Sequence, residues 1–282
     1  MSVATSDVML ADLTVVIPVR NAARLLPECL ASVSRAAPSQ IVVIDGNSTD
    51  GTLEIARQYS TKILSDAGRG LPVARMLGAQ AAKTRFVALI DADVVLPEGS
   101  LALLLEEFTA GGYAALQAGL HSVGGPRYWG RALAEHHRSG RSKNWFGVVA
   151  TIFERETLLT VGFDEEFVSG EDIELRWRLA RDGRRIGVST TTIVTHRFDG
   201  DSFSFARDQF AMDGRGLAAM VRKHGWRGAR LLALPAAAAV RGIALSLARR
   251  QPQWVPYYVC FAVGNYAAMV GVLVRRSHEV ES

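Results

Sequence analysis

Cysteine is scarce in this sequence: Cys29 and Cys260 are the only two among 282 residues, and they lie far apart in apolar segments. Two such residues cannot build a disulfide framework or a CxxC metal site, so we expect each to be a small buried hydrophobe. A long run of basic residues is also missing, and the net charge is only +4, with basic residues gathered towards the C-terminus. This distribution argues against nucleic acid as a partner and favours an anionic membrane surface.

The first residues lack the pattern of a secretion signal. Met1 to Asp12 carries acidic residues and does not show the basic-then-apolar order of such a signal. We therefore expect the main domain to face the cytoplasm. Hydrophobic residues make up 49% of the chain and charged residues 21%, so the chain can bury a core, and its length suits one domain with an appendage.

Short apolar segments alternate with segments of helical spacing in the first half of the chain. The segments predicted as strands are Leu13–Val19, Ile41–Asp45, Thr61–Leu64, Phe86–Ile90 and Tyr113–Ala118. The segments predicted as helices are Leu25–Val33, a helix starting near Thr52, Gly70–Ala82 and Leu101–Phe108. This alternation predicts an α/β fold with a mainly parallel sheet and helices on both faces.

The second half of the chain is less regular. Its predicted elements are a helix over Pro126–Lys143, a strand over Gly147–Phe153, a helix over about Ile173–Arg181, and a strand over Arg185–Val194 that leads to His196. Ser169 is the predicted cap of the helix that begins near Ile173.

A pair of carboxylates is the most informative feature. The apolar run Phe86–Ile90 ends in Asp91 and Asp93, as a buried strand does when it delivers acidic groups to the sheet edge where α/β folds bind ligands. Two adjacent carboxylates repel each other, and a divalent cation such as Mg²⁺ or Mn²⁺, or a ligand hydroxyl, relieves that repulsion. The structural alternative is a solvated turn, because Asp-x-Asp tripeptides are common.

Four motifs, each weak alone, occur in a specific order. They are Val16–Asn21, Asp45–Thr52, Asp91–Asp93 and Gly170–Asp172, the last of which opens a helix. From Leu13 to about His196 the chain resembles the family 2 glycosyltransferases of GT-A fold. The resemblance implies a metal-dependent, inverting transfer of a sugar from a nucleotide-sugar donor.

The resemblance assigns the nucleotide to the ends of the first two strands. Asp45 matches a family position that contacts the nucleobase, and a strand-end carboxylate can accept a hydrogen bond from a base. The alternative for Asp45 is a helix-capping turn. Pro18, Val19 and Asn21 resemble the family's first nucleotide-contacting loop.

The diphosphate and its metal are assigned to basic and acidic side chains. Arg69 and Arg75 flank a glycine-rich helix start, where positive side chains can meet a diphosphate; ordinary surface arginines are the alternative. By the resemblance, Asp91 holds the ribose or the metal, and Asp93 ligates the Mn²⁺ or Mg²⁺ that bridges the diphosphate. Such a metal makes the nucleoside diphosphate a better leaving group.

Glu171 and Asp172 resemble the family's acidic pair, in which the aspartate is the catalytic base. Inversion requires a carboxylate that takes the proton from the attacking acceptor hydroxyl. A helix N-terminus keeps that carboxylate ionised. The alternative is that the pair only complements the helix dipole.

The histidines are weaker candidates. His196 follows a predicted strand and, as in some relatives, is a candidate contact for the metal or the diphosphate. A polar surface or core residue is the alternative for His196. His136 and His137 are expected at the surface rather than at an acceptor site.

The chain departs from the family pattern at two places. The turn after Asp45 reads Asp-Gly-Asn where many relatives have Asp-Asp-Gly, which puts a second base-contacting carboxylate in doubt. The Gln-x-x-Arg-Trp signature of processive synthases is missing after His196, which favours transfer of a single sugar over polymerisation.

The C-terminal region is the predicted appendage. Trp254 to Val274 holds 21 consecutive residues without a formal charge, enough to span a bilayer core of about 30 Å as a helix. The run Leu231–Ala248 contains Arg241, so it is expected to lie in the interface or re-enter, and nearby basic residues suit an anionic leaflet. The alternative is a soluble helical hairpin packed on the main domain or on another subunit.

These observations predict a catalytic domain over residues 1–225 and an apolar helical region over 226–282. The expected partners are a nucleotide-sugar donor, with uridine as the favoured base, a lipid-linked or cell-envelope acceptor, and the cytoplasmic face of the cell membrane. Two other functions stay open. A sugar nucleotidyltransferase usually carries a glycine-rich segment after the first strand, whereas Arg20–Arg24 has no glycine. A non-catalytic nucleotide-sugar-binding module would not require Asp93 and Asp172 together.

Overall fold

The computed structural model describes residues 10–59, 62–139 and 145–275. The strands are β1 (Leu13–Val19), β2 (Gln40–Asp45), β3 (Lys62–Ser65), β4 (Phe86–Ile90), β5 (Val94–Val95), β6 (Ala115–Val123), β7 (Ala150–Glu154) and β8 (Ile186–Arg197). The helices are α1 (Leu26–Arg35), α2 (Thr52–Arg57), α3 (Leu71–Ala81), α4 (Ser100–Gly111), α5 (Tyr128–Arg138), α6 (Arg155–Val161), α7 (Glu171–Arg181), α8 (Phe203–His224), α9 (Trp226–Ala229), α10 (Leu234–Ala248) and α11 (Val255–Arg275).

The eight strands form one mixed sheet in the order β3-β2-β1-β4-β7-β6-β8-β5. Strands β1 to β4 pair in parallel, as the alternation of strands and helices predicts. Beyond β4 the pairing of β7 with β4 and with β6 is antiparallel, and so is that of β5 with β8. The predicted α/β fold with helices on both faces of the sheet is confirmed, although the sheet is mixed rather than mainly parallel.

Two apolar layers cover the sheet because successive strand residues face opposite sides. In β1, Val15 and Ile17 belong to one buried cluster, which includes α1 and α4, whereas Val16 belongs to the other, which includes α3. Gly78 lets α3 lie directly on the sheet, since a Cβ at this position would come within 2.1 Å of Val16 Cγ1. Cys29 is buried as expected, and Cys260 is partly exposed.

Several predicted boundaries need correction. Helix α7 begins at Glu171, so Ser169 lies outside its capping position, and the Ser169 hydroxyl donates instead to the Met212 carbonyl at 2.8 Å. His196 lies within β8 rather than after it, because that strand continues to Arg197. The predictions for Met1 to Met9, Thr61, residues 140–143 and Arg276 lie outside the described residues.

The chain divides into two compact units. Among the described residues, the first contains 10–59, 62–122, 145–165 and 172–199, which carry the sheet, and the second contains 123–139, 166–171 and 200–275. In the second unit α11 packs on α8, where the Phe210 ring lies 5.3 Å from Tyr257 and 5.5 Å from Phe261. The boundary predicted at residue 225 therefore does not coincide with this division, because α8 belongs with the helices that follow it.

Two helical segments of the second unit, Trp226–Ala248 and Pro252–Val274, are long and apolar enough to cross a membrane by length and composition. On α11 the exposed valines are Val259, Val263, Val270 and Val274. At 100° per residue they fall within an arc of about 60°. One stripe of α11 is therefore apolar and uncovered in the described residues.

Candidate active site

The two aspartates of the Asp-x-Asp motif lie in the turn between β4 and β5. The Asp91 amide donates to the Val149 carbonyl at 2.9 Å, and the Val94 amide donates to the Asp91 carbonyl at 3.1 Å. The motif therefore follows the strand rather than continuing it. The turn that was the structural alternative is present, and it presents both carboxylates at the edge of the sheet.

Asp93 lies beside His196 because β5 pairs with β8, with Val94 opposite His196. His196 Nε2 is 3.3 Å from Asp93 Oδ2, and His196 Nδ1 is 3.3 Å from the Ser122 hydroxyl. Burial lowers the pKa of His196, but the hydrogen bond to Asp93 and the charges of Asp93 and Asp91 outweigh it, so this pKa lies above its ordinary value. The imidazole is thus held between a hydroxyl and a carboxylate.

The two oxygens of the Asp93 carboxylate have different surroundings. Asp93 Oδ1 is buried and has no hydrogen-bond partner among the described residues. A buried carboxylate oxygen without a partner is costly unless a ligand or ion satisfies it. This oxygen is therefore the atom of the motif best suited to bind a cation or to accept a hydrogen bond from a ligand.

Asp91 is paired with Arg75, whose side chain is only 1% exposed. Arg75 Nη2 lies 3.1 Å from Asp91 Oδ1 and donates to the Val148 carbonyl at 3.4 Å. Burial raises the pKa of Asp91 to about 6; Arg75 opposes this rise and Asp93 adds to it. The surface alternative for Arg75 is wrong, because this side chain neutralises Asp91 from inside the protein.

Several groups fix the turn that carries the aspartates. The Arg197 amide and guanidinium both donate to the Asp93 carbonyl, at 3.0 and 3.3 Å. The Cys29 thiol lies 3.6 Å from the Asp91 carbonyl, and the Ser32 hydroxyl accepts the Leu96 amide at 3.0 Å. Because α1 supplies Cys29 and Ser32, the position of the turn depends on this helix as well as on the sheet.

The predicted nucleotide loops are joined by Asn21. Its side-chain oxygen accepts the Thr49 amide at 2.8 Å, and its own amide donates to the Ser48 hydroxyl at 2.9 Å. Asp45 is buried, and its carboxylate accepts the Ser48 amide at 3.2 Å. Asn21 has a positive φ of 50°, a conformation that asparagine tolerates better than most residues.

Two predicted loop residues are strand residues. Pro18 and Val19 lie at the end of β1 and are buried, and the Val19 carbonyl accepts the Gly46 amide at 2.8 Å. The loop begins only after Val19, because β1 extends through that residue.

Arg69 is exposed at the surface, which was the structural alternative for this residue. It forms an ion pair of 2.8 Å with Glu165.

The predicted acidic pair opens α7. Glu171 is buried, whereas Asp172 is partly exposed. Glu174, one turn on, is fully buried and pairs with Arg178 at 2.7 Å. Arg178 also donates to the carbonyls of Val161 and Gly162 at the end of α6. These bonds anchor the helix that carries Asp172.

Trp145 is a site residue that sequence reasoning missed. Its indole Nε1 donates to Asp172 Oδ2 at 3.3 Å, and the guanidinium of Arg176 lies 5.6 Å from its ring. Gln117, fully buried on β6, holds this segment: its amide donates to the Trp145 carbonyl at 2.9 Å and accepts the Gly147 amide at 2.8 Å. No local pattern marks these residues, because the contacts join positions that are distant in sequence.

The environment of His136 differs from the one predicted. It was expected at the surface, but its ring lies among three aromatic rings of α11, 5.8 Å from Tyr257, 5.6 Å from Tyr258 and 5.1 Å from Phe261. Burial, and then the charge of Arg241, lowers the pKa of His136 to about 4. The residue is therefore a neutral, partly buried member of this aromatic cluster in the second unit.

The described residues contain no cluster of three or more His, Cys, Asp or Glu side chains arranged to hold a metal ion. Asp93 and His196 form a pair instead. Mg²⁺ is commonly held by only one or two carboxylates together with substrate phosphates and water. The buried Asp93 oxygen without a partner fits a cation of this kind that binds together with a diphosphate.

Comparison with known proteins places this geometry in a family. Residues 14–167, more than half of the chain, match the family model Glycosyl transferase family 2. The succinoglycan biosynthesis protein ExoA of Rhizobium meliloti (strain 1021) is 28% identical over 207 residues, which are 64% of this chain and 62% of that protein. A pre-mycofactocin glycosyltransferase of Mycobacterium tuberculosis is 30% identical over 202 residues, 66% of this chain and 42% of that protein. The chain thus matches less than two thirds of each relative's length.

Two solved structures share the fold. The mannosyltransferase PcManGT from Pyrobaculum calidifontis, in complex with GDP-Man and Mn²⁺, has a TM-score of 0.62 and 22% identity, with coverage of 90% of this chain and 87% of that one. Glucosyl-3-phosphoglycerate synthase from Mycobacterium tuberculosis, in complex with Mn²⁺, UDP and phosphoglyceric acid, has a TM-score of 0.60 and 18% identity, with coverage of 79% and 83%. The sheet order and the Asp-x-Asp turn are consistent with the match to the family model, which covers more than half of the chain. The chain therefore belongs to glycosyl transferase family 2.

Proposed function

We propose that this protein is an inverting, metal-dependent glycosyltransferase. It moves one sugar from a nucleoside diphosphate sugar to a lipid-linked or cell-envelope acceptor. The observation that carries the proposal is the buried Asp93 oxygen, which has no partner in the described residues although its carboxylate lies at the ligand-binding edge of an α/β sheet.

In this proposal Asp93 would hold Mn²⁺ or Mg²⁺ at the donor diphosphate, and His196, whose Nε2 lies 3.3 Å from Asp93 Oδ2, would position that carboxylate. When bound, the cation neutralises charge that develops on the departing nucleoside diphosphate. Asp91 is neutralised by Arg75 at 3.1 Å, so its carboxylate can face the ribose or the cation without adding an unpaired negative charge. The metals bound by the two structural relatives support the choice of Mn²⁺ or Mg²⁺.

The donor nucleoside is assigned to the loops that Asn21 joins. Asp45 lies at the end of β2 beneath these loops, where a strand-end carboxylate suits a base N–H. The structural relatives were solved with GDP-Man and with UDP, so both bases are candidates, and we favour uridine. Arg69, exposed beside the start of α3, is the side chain available for a diphosphate.

Asp172 is the proposed base. It lies in the first turn of a helix whose dipole favours a negative charge there, and its carboxylate accepts the Trp145 indole N–H. As the acceptor hydroxyl attacks the anomeric carbon from the face opposite the leaving group, Asp172 takes its proton. Glu171, which precedes it, is buried and is the less accessible carboxylate of the pair.

The acceptor side of the proposal rests on the two apolar helical segments of the second unit. Val263 is 64% exposed on α11 and Val240 is 69% exposed on α10, and exposed apolar faces of this kind suit a membrane surface. Arg222, Lys223 and Arg227 lie just before α10 and suit anionic lipids. We therefore place the enzyme at the cytoplasmic face of the cell membrane.

The test is a set of assays on the full-length protein with UDP- and GDP-sugars. The first assay measures thermal stability with each nucleotide sugar in Mn²⁺, since a ligand that binds the native state raises its apparent stability. The second measures release of a nucleoside diphosphate in Mn²⁺ and in EDTA. We expect stabilisation by one donor and release that EDTA abolishes. Release of pyrophosphate from a nucleoside triphosphate would instead identify a sugar nucleotidyltransferase, and binding without release would identify a non-catalytic module.

A further inference from the structure

Trp145 lies beside the proposed base Asp172 but has no role in the proposed transfer. Its indole N–H is bonded to the proposed base Asp172 at 3.3 Å. Arg176, four residues after Asp172 and so on the same face of α7, lies 5.6 Å from the indole ring. Trp145 therefore contacts two side chains, Asp172 and Arg176, that lie on the same face of α7.

The indole is not a buried core group. Trp145 is 40% exposed, whereas tryptophan side chains that only fill space bury most of their large apolar surface. The Arg176 guanidinium lies 5.6 Å from the centre of this ring, and within the described residues enough of the side chain is exposed to contact a ligand.

The backbone around Trp145 is fixed by hydrogen bonds to the buried side chain of Gln117. Gln117 has no exposure, and its one amide group bonds to the Trp145 carbonyl, the Gly147 amide and the Val149 amide at 2.9, 2.8 and 3.3 Å. Val148 accepts from Arg75 at 3.4 Å and has a positive φ of 57°. A side chain on so constrained a segment is preorganised, and this property favours a role in positioning.

We infer that Trp145 orients the Asp172 carboxylate through its indole N–H and supports the ring of a sugar acceptor on its open face. This inference rests on the proposed function. The acceptor group is a pyranose, because the CH groups of one pyranose face form an apolar patch that fits an aromatic ring, while the hydroxyls at its edge can reach the base. Trp145 is a positioning residue for the base and a specificity residue for the acceptor.

The hydrogen bond is tested by NMR on the full-length protein labelled with ¹⁵N-tryptophan. The chain has five tryptophans, and the Trp145 indole signal is assigned by its loss in Trp145→Phe. We expect Asp172→Asn to shift this signal more than any other indole signal. A Trp145 signal that does not move in Asp172→Asn would overturn the orienting role.

The acceptor role is tested by kinetics with octyl glucoside, octyl mannoside and octyl galactoside, below their micelle concentrations. Trp145→Phe keeps a ring but removes the N–H, so we expect kcat to fall about tenfold, as for loss of a hydrogen bond to a charged group, with the acceptor KM nearly unchanged. Trp145→Ala should also raise the acceptor KM by about tenfold, because the stacking surface is lost. Donor binding should not change in either variant.

Trp177→Phe is the matched control, because Trp177 also lies on α7 but about 140° around the helix from Asp172. If both Trp145 variants match this control, or if they lose donor binding, the inference is wrong. If the wild-type protein releases nucleoside diphosphate but uses no octyl glycoside, the sugar-acceptor assignment is wrong while the proposed function stands. If the wild-type protein releases none with any donor, the proposed function itself fails.

Discussion

His196 Nε2 lies 3.3 Å from one oxygen of Asp93, while the other oxygen of the same carboxylate is buried without a partner in the described residues. The contact depends on the two-residue strand β5, which places Val94 opposite His196. One oxygen of this carboxylate is thus bonded to the imidazole, and the other has no partner in the part of the chain that the structure describes. This arrangement underlies the first prediction.

Asp93→Asn should abolish metal-dependent transfer and leave the fold intact. The substitution keeps the shape of the side chain but removes the charge that the cation requires. We expect at least about a hundredfold loss of turnover, as for removal of a catalytic group, and weaker Mn²⁺ binding in the presence of the nucleoside diphosphate, measured by electron paramagnetic resonance. Asp182→Asn, on the exposed surface, is the control. Near-wild-type turnover of Asp93→Asn in Mn²⁺ would refute the Asp-x-Asp assignment.

Asp172→Asn should slow transfer without weakening donor binding. Loss of a general base lowers the rate by about 10²–10⁴-fold, and Asp172 is assigned to the acceptor side. The measurements are transfer rate and donor affinity by calorimetry. The companion variant Glu171→Gln should retain more activity. The assignment of Asp172 is wrong if its substitution removes nucleotide binding or leaves the rate unchanged.

Arg75 and Arg69 offer a matched pair of arginines with opposite environments. Arg75→Met should lower the free energy of unfolding by about 3 kcal/mol, since removal of one partner of a largely buried ion pair leaves the other charge uncompensated. Arg69→Met should lower it by less than about 1 kcal/mol, since its pair with Glu165 is more than half exposed. Urea unfolding at pH 7 measures both. Equal effects would show that Arg75 and Asp91 do not form a structural pair.

The pH dependence of stability should contain a contribution from His136. Its pKa is about 4 in the folded protein and about 6.5 when unfolded. Between these values the unfolded chain binds the proton and the folded chain does not, so stability is lost as the pH falls from about 6.5 to about 4. The loss is at most about 3.4 kcal/mol, since each of the roughly 2.5 pKa units is worth about 1.36 kcal/mol.

The comparison of His136→Phe with the wild-type protein isolates this contribution. Phenylalanine keeps the ring contacts with Tyr257 and Phe261 but cannot be protonated. We expect the variant to lose less stability than the wild-type protein between pH 7 and pH 5 in thermal unfolding. His121→Gln, at an exposed position, should leave the pH dependence unchanged. A His136→Phe curve parallel to that of the wild-type protein would show that His136 is not the group responsible.

Binding to membranes is tested on the full chain, because α11 packs on α8 and its removal would expose the second unit's core. Val263→Asp places a charge within the apolar stripe of α11. We expect roughly a tenfold or larger loss of binding to vesicles of phosphatidylglycerol and phosphatidylcholine in flotation, because burying a carboxylate in a bilayer is costly. Ile193→Asp, at an exposed apolar position on β8, should bind like the wild-type protein. The membrane proposal is wrong if the wild-type protein does not float with the vesicles.

The local elements of the fold could be predicted from the sequence. The predicted helix over Gly70–Ala82 is observed as α3, Leu71–Ala81, and the strand before Asp91 ends at Ile90. These segments carry their own periodicity and their own glycine or aspartate boundaries. The acidic pair Glu171 and Asp172 was assigned by its resemblance to a family motif, and its place in the first turn of a helix agrees with the observed start of α7.

Contacts between distant segments could not be predicted in this way. The burial of Arg75 depends on how closely α3 approaches β1, and the role of Gln117 depends on a loop about 30 residues later. The antiparallel pairing of β7 with β4 likewise leaves no periodic signal of its own. Trp145 belongs with these cases, because its partners Asp172 and Arg176 reach it only through the tertiary fold.

Gly78 lies one turn after Arg75 on α3, where a Cβ would collide with Val16. The absence of a single methyl group therefore sets how near the helix comes to the sheet, and with it how far Arg75 must reach to meet Asp91. Gly78→Ala would push the helix outward and leave the acidic edge without its internal counterion. Gly78→Ala adds only a methyl group, at a buried contact between α3 and β1. It would nevertheless have the same effect as a substitution in the donor site.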